Sequence, residues 1–297
     1  IILSRCLKLV RQILKKQIQR LTDKETSLIV GLEIEWYLER VEEDRLYDAN
    51  IAEPGIRAVP IRTSSIEPGF SYHLETTFDL MQPVISELAD TYDKLNLPLR
   101  SFENEWGPGQ LECTFSAGEA MKAADDYILF RTATRQVCRR QGFLASFMCI
   151  PKTKGHYASG WHLHQSLINC KTNENVFMPS ASNTAISELG RNYLAGLLQH
   201  AAPSVIFAVP TVNGYRRFKP NSLAPDRVTW AHDHRGTMVR LLGGYGDPNT
   251  RLENRLGEPA ANPYLYFASQ IVAGMDGVET SNPLCEEDFN PYNKIKR

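Results

Sequence analysis

The sequence has no excess charge of either sign: 33 Lys and Arg stand against 34 Asp and Glu over 297 residues, a formal net charge of −1. A chain that grips nucleic acid mainly by neutralising phosphates needs a basic surplus, so no nucleic-acid partner is expected. Long apolar runs are missing too. The candidates around Gly142–Ile150 and Ala201–Pro210 reach about half of the ~18 residues that a membrane span requires, so no membrane span is expected. Six cysteines, Cys6, Cys113, Cys138, Cys149, Cys170 and Cys285, show no C-x-x-C spacing, which excludes a zinc knuckle and a dithiol motif. Scattered in this way, with no secretion signal, they point to a reducing, cytoplasmic setting. There is no G-x-x-x-x-G-K-[ST] loop, so P-loop phosphate chemistry is excluded. Internal repeats and low-complexity tracts are absent as well.

What is present is an ordinary globular composition, with 42% apolar residues and 19 glycines, in a length that suits one large domain or two small ones. The chain begins with Ile rather than Met and stops at Lys294-Ile295-Lys296-Arg297 without a closing element, and it reads as a segment of a longer protein. The first 22 residues carry Arg5, Lys8, Arg11, Lys15, Lys16 and Arg20 and no acid before Asp23. That is the composition of a transit peptide. Leu3, Leu7, Val10, Leu14, Ile18 and Leu21, however, recur at three and four residues, and this stripe predicts an amphipathic packing helix. A strand is expected over 27–38, a polar stretch over 39–69 and a helix over 78–96, with Pro83 in an early turn or at a kink. Short strands flank Gly107-Pro108-Gly109. A long helix over 118–141, strands over 143–150 and 161–168, and a helix over 182–201 follow. Short strands and loops then run to about Arg255 before a closing helix over 263–275. Strands cluster with helices between the groups, so the fold class is α+β.

Four constellations could carry chemistry. Glu33 and Glu35 in Gly31-Leu32-Glu33-Ile34-Glu35-Trp36 share one strand face, opposite Leu32, Ile34 and Trp36. Bare carboxylates on such a face must be solvated, paired or metal-bound, and a solvent-facing strand edge is the plain alternative. Glu105 and Glu112 flank the Gly-Pro-Gly turn, which either folds them toward each other or leaves a charged hairpin. His162 and His164 in Ser159-Gly160-Trp161-His162-Leu163-His164-Gln165-Ser166 share a face, as imidazole ligands often do, though one H-x-H is weak evidence. Arg251, Glu253 and Arg255 line one face as an ion-pair ladder or part of an anion site. With Arg216, Arg217, Arg235 and Arg240 they gather six of the seven arginines between positions 216 and 255. Taken together, carboxylates with one or two histidines suit hard cations such as Mg²⁺ or Mn²⁺. Two such cations beside arginines would clamp a polyphosphate during transfer.

These residues resemble the glutamine synthetase family. Gly31–Glu35, Gly107–Glu112, Ser159–Ser166, Asn213-Gly214-Tyr215-Arg216-Arg217 and Arg251–Ala261, the last followed by Asn262-Pro263-Tyr264-Leu265, occur in family order over nearly the whole chain. The resemblance implies a glutamine synthetase catalytic-domain fold: a curved antiparallel sheet forming the active-site funnel, with helices packed outside. It further implies that residues 1–297 are this catalytic domain without the small N-terminal β-grasp domain and the C-terminal end. By the same resemblance Glu35, Glu105 and Glu112 are ligands of one metal, and Glu33, His162 and Glu253 of a second that bridges the ATP phosphates. His164, Arg217 and Arg255 match glutamate-holding positions. Arg235, Arg240 and Arg251 match arginines that face the ATP phosphates and the transferred phosphoryl group, and Ser166 matches a residue near the nucleotide. The implied activity is ATP-dependent amide formation on the γ-carboxylate of glutamate through γ-glutamyl phosphate. Mg²⁺ or Mn²⁺ serves as cofactor, ammonia or an amine as acceptor, and the full-length protein forms a ring-shaped homo-oligomer, a dodecamer in many members.

Departures from the family pattern fall on the acceptor side. The loop position where glutamine synthetases carry a proton-accepting Glu is Leu223 in Phe218–Pro225, and Tyr157-Ala158 replaces the usual Asn-Gly before Ser159. These changes resemble the branch that joins glutamate to organic amines or polyamines, and they tip the expected acceptor toward such an amine. The competing reading is a non-catalytic relative kept for assembly or sensing. The complete set of six metal-ligand positions speaks against it.

Overall fold

The computed structural model describes residues 2–43, 45–151, 155–220 and 222–292, with backbone alone for 2–8. It opens with helix α1 (Ile2–Thr22) and strand β1 (Thr26–Val41). Leu14 and Leu21 are buried and Val10 and Ile18 pack beside them, so the stripe in α1 belongs to a packing helix. The side chains of Leu3, Arg5, Leu7 and Lys8, and the tail Lys294–Arg297, lie outside the described residues. Burial alternates along β1. Leu28, Val30, Leu32, Ile34 and Trp36 are buried on one face, while Ile29, Gly31, Glu33 and Glu35 take the other.

The chain continues through β2 (Thr63–Ser65), α2 (Glu75–Lys94), β3 (Leu99–Asn104), β4 (Gln110–Phe115), β5 (Gly118–Glu119), α3 (Ala120–Arg140), β6 (Phe143–Ser146) and β7 (Trp161–Asn169). Helices α4 (Glu188–Gln199), α5 (Ala201–Ala208) and α6 (Val212–Tyr215) precede β8 (Trp230–His232), β9 (Val239–Leu242), β10 (Arg251–Gly257) and α7 (Pro263–Thr280). The strands form one 10-stranded sheet in the order β3-β4-β1-β7-β10-β9-β8, with β2, β5 and β6 also paired to β1. This is the expected α+β architecture, but the sheet is mixed rather than wholly antiparallel, because β8 runs parallel to β9. Three residues of β8 span only about 10 Å, a length the short link to β9 can retrace.

The apolar back of the sheet is covered by helices. Tyr127 of α3 stacks on Trp161 of β7 at 4.2 Å between ring centroids, and Tyr92 of α2 meets Phe130 of α3 edge to face at 5.5 Å. Trp36 packs against Phe147 at 5.9 Å. Each such buried side chain contributes about 1.5–3 kcal/mol. Among the described residues no helix is long and apolar enough to cross a membrane.

Three element boundaries differ from expectation. The helix expected over 182–201 is only α4 from Glu188, ended at His200 and followed by α5, because Pro203 has no N–H to give to the Gln199 carbonyl. Helix α2 starts at Glu75 and runs through Pro83, which is therefore interior rather than in the first turn. Strand β6 ends at Ser146 instead of reaching Ile150.

The β3–β4 turn has no room for a single added methyl group. Gly109 has φ +77°, and a Cβ there would meet the Leu38 carbonyl oxygen at 2.5 Å. Gly109→Ala should cost about 2 kcal/mol or more of stability, because both the backbone conformation and the space are wrong for alanine. Thermal unfolding would read this as a drop of several degrees in Tm; an unchanged Tm would contradict the packing at this turn.

Candidate active site

Cross-strand register assembles the site. Glu35 lies opposite Glu112, and Glu33 opposite His162. His164 faces Gly31 on one side and Glu253 on the other. Glu253 is opposite Arg240, and Glu112 opposite Glu103. Side chains brought together from β3, β4, β1, β7, β10 and β9 thus form one transverse row of ionisable groups on the face that the helices leave open.

Two groups in this row could hold a metal ion. The ligand atoms of Glu33, His162 and Glu253 lie within 4.8 Å of one another, as do those of Glu35, Glu112 and His162. His162 is shared: its Nδ1 is 3.1 Å from Glu33 and 3.7 Å from Glu253, and its Nε2 is 3.8 Å from Glu35. Glu105 belongs to neither group, since one of its carboxylate oxygens accepts the Trp106 backbone N–H at 3.2 Å, but it lines the same cleft. Glu35 is oriented by residues to which the sequence reading gave no role. Gln110 Nε2 donates to it at 3.0 Å and the Gly160 N–H at 2.9 Å. A side chain at Gly160 would crowd both Arg217 and His162. Gln110 was detectable in principle, because it shares a strand face with Glu112.

The two halves of the row differ electrostatically. Burial alone would raise Glu33, but hydrogen bonds from His162 and His164 outweigh it and hold this carboxylate well below the usual range. Glu253 is likewise lowered: burial opposes the charge, yet the Arg255 guanidinium and the two histidines prevail. It sits between Arg255 and Arg240, the latter 3.2 Å away. In the other half, burial first and then neighbouring carboxylates push Glu112 up to about 10. Burial also raises Glu105 to about 7, and Glu35 is raised by burial despite His162. In that half Arg217 acts on Glu35 and Arg235 on Glu105 without offsetting burial, and carboxylates with one imidazole are the donor set of a hard divalent cation.

Two clefts open onto the row. The first, of about 530 Å³, is lined by Glu35, Glu105, Glu112, His162, Glu253, Arg217, Arg235, Arg240, Arg255 and Leu223. The second, of about 910 Å³, contains His164, Ser166 and Arg251. Glu33, Glu103 and Thr114 line both, so the metal-competent cluster, which otherwise faces the first cleft, reaches the second through Glu33. His164 therefore does not join Arg217 and Arg255. Its Nε2 is 2.7 Å from Glu33, and its Nδ1 accepts from Arg251 Nε at 3.0 Å. Arg217 is fully buried, and its guanidinium donates to the carbonyls of Arg255, Leu256 and Gly257, bracing the end of β10. Burial lowers its pKa. Leu223 stands at the rim of the first cleft with φ +61°, a conformation that side-chain-bearing residues seldom adopt. Tyr72 and Trp106, which the sequence reading passed over, line that cleft beside Tyr157 and Ala158.

The glutamine synthetase catalytic-domain model matches residues 9–294. The chain belongs to this family. A γ-glutamylanilide synthase from an Acinetobacter species is 44% identical over 270 residues, which cover 91% of this chain and 54% of that protein. The Pyrococcus furiosus glutamine synthetase is 30% identical over 283 residues, 95% of this chain and 59% of that protein. The γ-glutamylethanolamide synthetase GlnA4 of Streptomyces coelicolor is 28% identical over 272 residues, covering 91% and 54%. Among solved structures, an ADP complex of GmaS superposes with a TM-score of 0.77 at 25% identity, covering 94% of this chain and 61% of that one. The chain thus spans little more than half the length of these curated relatives.

A divalent cation bound between Glu35 and Glu112 must displace the Glu112 proton, and its charge would also favour the ionised form of Glu105 in the same cleft. Their raised values mean that the cation-free protein loses stability as pH rises through about 7, while metal affinity increases over the same range. Mg²⁺ or Mn²⁺ should therefore raise Tm by several degrees at pH 8 and by less at pH 6, as followed by scanning calorimetry. A metal-induced shift equal at both pH values would remove these carboxylates from the metal site.

Proposed function

We propose that the full-length protein is an ATP-dependent ligase that joins the γ-carboxylate of glutamate to an organic amine. The observation that carries this reading is the shared wall: two clefts, one rich in arginine and one holding His164, Ser166 and Arg251, meet at Glu33, the member of the carboxylate–histidine cluster that faces both. In that arrangement ATP occupies the second cleft and glutamate the first. Glu33, His162 and Glu253 would hold one divalent cation, and Glu35 and Glu112, which share a cleft with Glu105, would hold another. Mg²⁺ or Mn²⁺ bound there would neutralise charge on the phosphoryl group in transfer.

The chain's own residues supply the rest. His164 and Arg251 face the nucleotide, so His164 is assigned there rather than to glutamate. Arg235 and Arg240, in the first cleft, stabilise the moving phosphoryl group. Arg255, with Arg217 behind it, receives the glutamate carboxylate. The γ-carboxylate oxygen attacks the terminal phosphorus as the bond to ADP breaks. The amine nitrogen then attacks the γ-carbonyl, phosphate leaves, and the nitrogen gives up its proton. The names of two relatives, an anilide and an ethanolamide synthetase, and the apolar Leu223 at the rim support an organic amine over ammonia. A ring-shaped homo-oligomer is proposed for the full-length protein on family membership alone.

Glutamate-dependent ADP release by the full-length protein, compared across aniline, ethanolamine, a polyamine and ammonium, tests this reading. Turnover should be strongest with an organic amine, and no ADP release with any acceptor would sink it. Glu253→Gln should lower turnover by about a hundredfold or more with the fold retained. Unaltered turnover would remove Glu253 from the metal site. Leu223→Glu should shift the acceptor ratio about tenfold toward ammonium by restoring a proton acceptor. An unchanged ratio would separate this residue from the acceptor.

A further inference from the structure

We propose that Tyr72, laid flat on Trp106 at the rim of the first cleft, is the platform that receives the ring of an aromatic acceptor amine, and that Glu67 is the positioning residue that holds it there. The proposal rests on the ligase reading above and names the acceptor surface within it. The two rings are stacked, with centroids 5.4 Å apart and planes 6° from parallel. Both line the cleft, Trp106 directly follows Glu105, and Tyr72 and Trp106 remain 41% and 39% exposed, which leaves aromatic surface free for a further ring.

The segment that carries Tyr72 is built rather than loose. Gly69, Phe70 and His73 all have positive φ, at 84°, 59° and 52°, and two of these are residues that rarely adopt it. The backbone is held there by bonds to the end of β3 and the turn beyond it. The Phe70 N–H donates to the Trp106 carbonyl at 2.8 Å, and the His73 N–H to the Asn104 carbonyl at 3.1 Å. Beneath them the carboxylate of buried Glu67 accepts the Gly109 N–H at 2.6 Å, the Gly69 N–H at 2.5 Å and the Ser71 hydroxyl at 3.3 Å. One side chain thus locks the loop of Tyr72 to the β3–β4 turn that begins with Trp106. Phe70, on the same loop, meets Tyr157 edge to face at 5.7 Å, and Tyr157, Leu223 and Ala224 line the same cleft.

The chemistry of the acceptor agrees with this surface. An arylamine is uncharged at neutral pH, so it needs neither an anionic loop to bind it nor a base to deprotonate it before attack. Leu223 at the rim, where a carboxylate would serve ammonium, is then no handicap. The proton released after attack leaves with the departing phosphate or to solvent.

The test is steady-state kinetics of the full-length protein with aniline and with ammonium. Tyr72→Leu should raise the KM for aniline and lower the ratio of kcat/KM for aniline to that for ammonium about tenfold. Tyr72→Phe, which keeps the stack, should restore that ratio. Glu67→Gln trades one acceptor oxygen for an amide that cannot accept a backbone N–H, and should move the ratio in the same direction by about threefold. A ratio unchanged in Tyr72→Leu and Glu67→Gln, or equal losses on both acceptors, would overturn the platform. Wild-type protein that forms glutamine but no anilide would overturn the aromatic acceptor while leaving the ligase reading intact. Absence of ADP release with either acceptor would remove both.

Discussion

Several carboxylates held within a few ångströms of one another on a largely buried sheet face are the constraint from which the rest of this structure follows. Glu33, Glu35, Glu112 and Glu253 each lose hydration, and each opposes the ionisation of the others. Half of the problem is solved internally. His162 and His164 hydrogen-bond Glu33, and Arg240 and Arg255 enclose Glu253, so that these two carboxylates keep their charge. In the other half the partners do not offset burial and mutual repulsion: Glu35, Glu105 and Glu112 are all raised. This asymmetry assigns a different work to each end. The histidine-flanked end is organised without a cation, and under the proposed function the carboxylate end would draw its stability from one.

Such a row stays aligned only if the strands cannot slip, because a one-residue shift would send every carboxylate into the apolar back. The back prevents it. Leu32, Ile34 and Trp36 alternate with the glutamates of β1 and are buried under the helices, and Trp161 and Leu163 do the same for the histidines of β7. Arg217 anchors the far side by donating to consecutive carbonyls where β10 departs from regular register between Asn254 and Gly257. A buried guanidinium with several carbonyl partners is a strong brace, since each lost partner would leave a buried charge unsatisfied.

The legible parts of this arrangement are those with a local period. Alternation in Gly31–Trp36 gave both faces of β1, and the spacing of Arg251, Glu253 and Arg255 gave one face of β10. The H-x-H pair was legible as one face, yet not as two destinations. His162 lies opposite Glu33, while His164, two residues further, lies opposite Gly31, and that step carries it from the first cleft into the second. Strand pairing across long stretches of sequence decides this, and no period encodes it. Glu105 was legible as a neighbour of the turn, but not its bond to the Trp106 N–H. Tyr72 had no signal at all. It follows a polar stretch, and its place depends on a buried carboxylate and three left-handed residues whose partners lie on β3 and in the turn after it.

The acceptor side obeys different physics from the phosphoryl side, and this difference decides how the site would diversify. Charge at the histidine-flanked end admits little change, because removing a histidine, Arg240 or Arg255 strips a partner from buried Glu33 or Glu253. The rim is made of rings and an aliphatic side chain from four separate segments: Tyr72, Trp106, Tyr157 and Leu223. None of these touches the carboxylate hydrogen bonds of Glu33 or Glu253, but the Tyr72 hydroxyl is hydrogen-bonded to Arg235, so the polar end of that ring is tied to the arginine proposed for the phosphoryl group while its face and the other rim side chains are not. Leu223 illustrates the point, since φ +61° is set by the backbone of its loop rather than by its side chain. A carboxylate at that position would aim at the same rim and favour a cation. Leucine offers only apolar surface, and a neutral nitrogen carried on an apolar body is the nucleophile that such a surface retains.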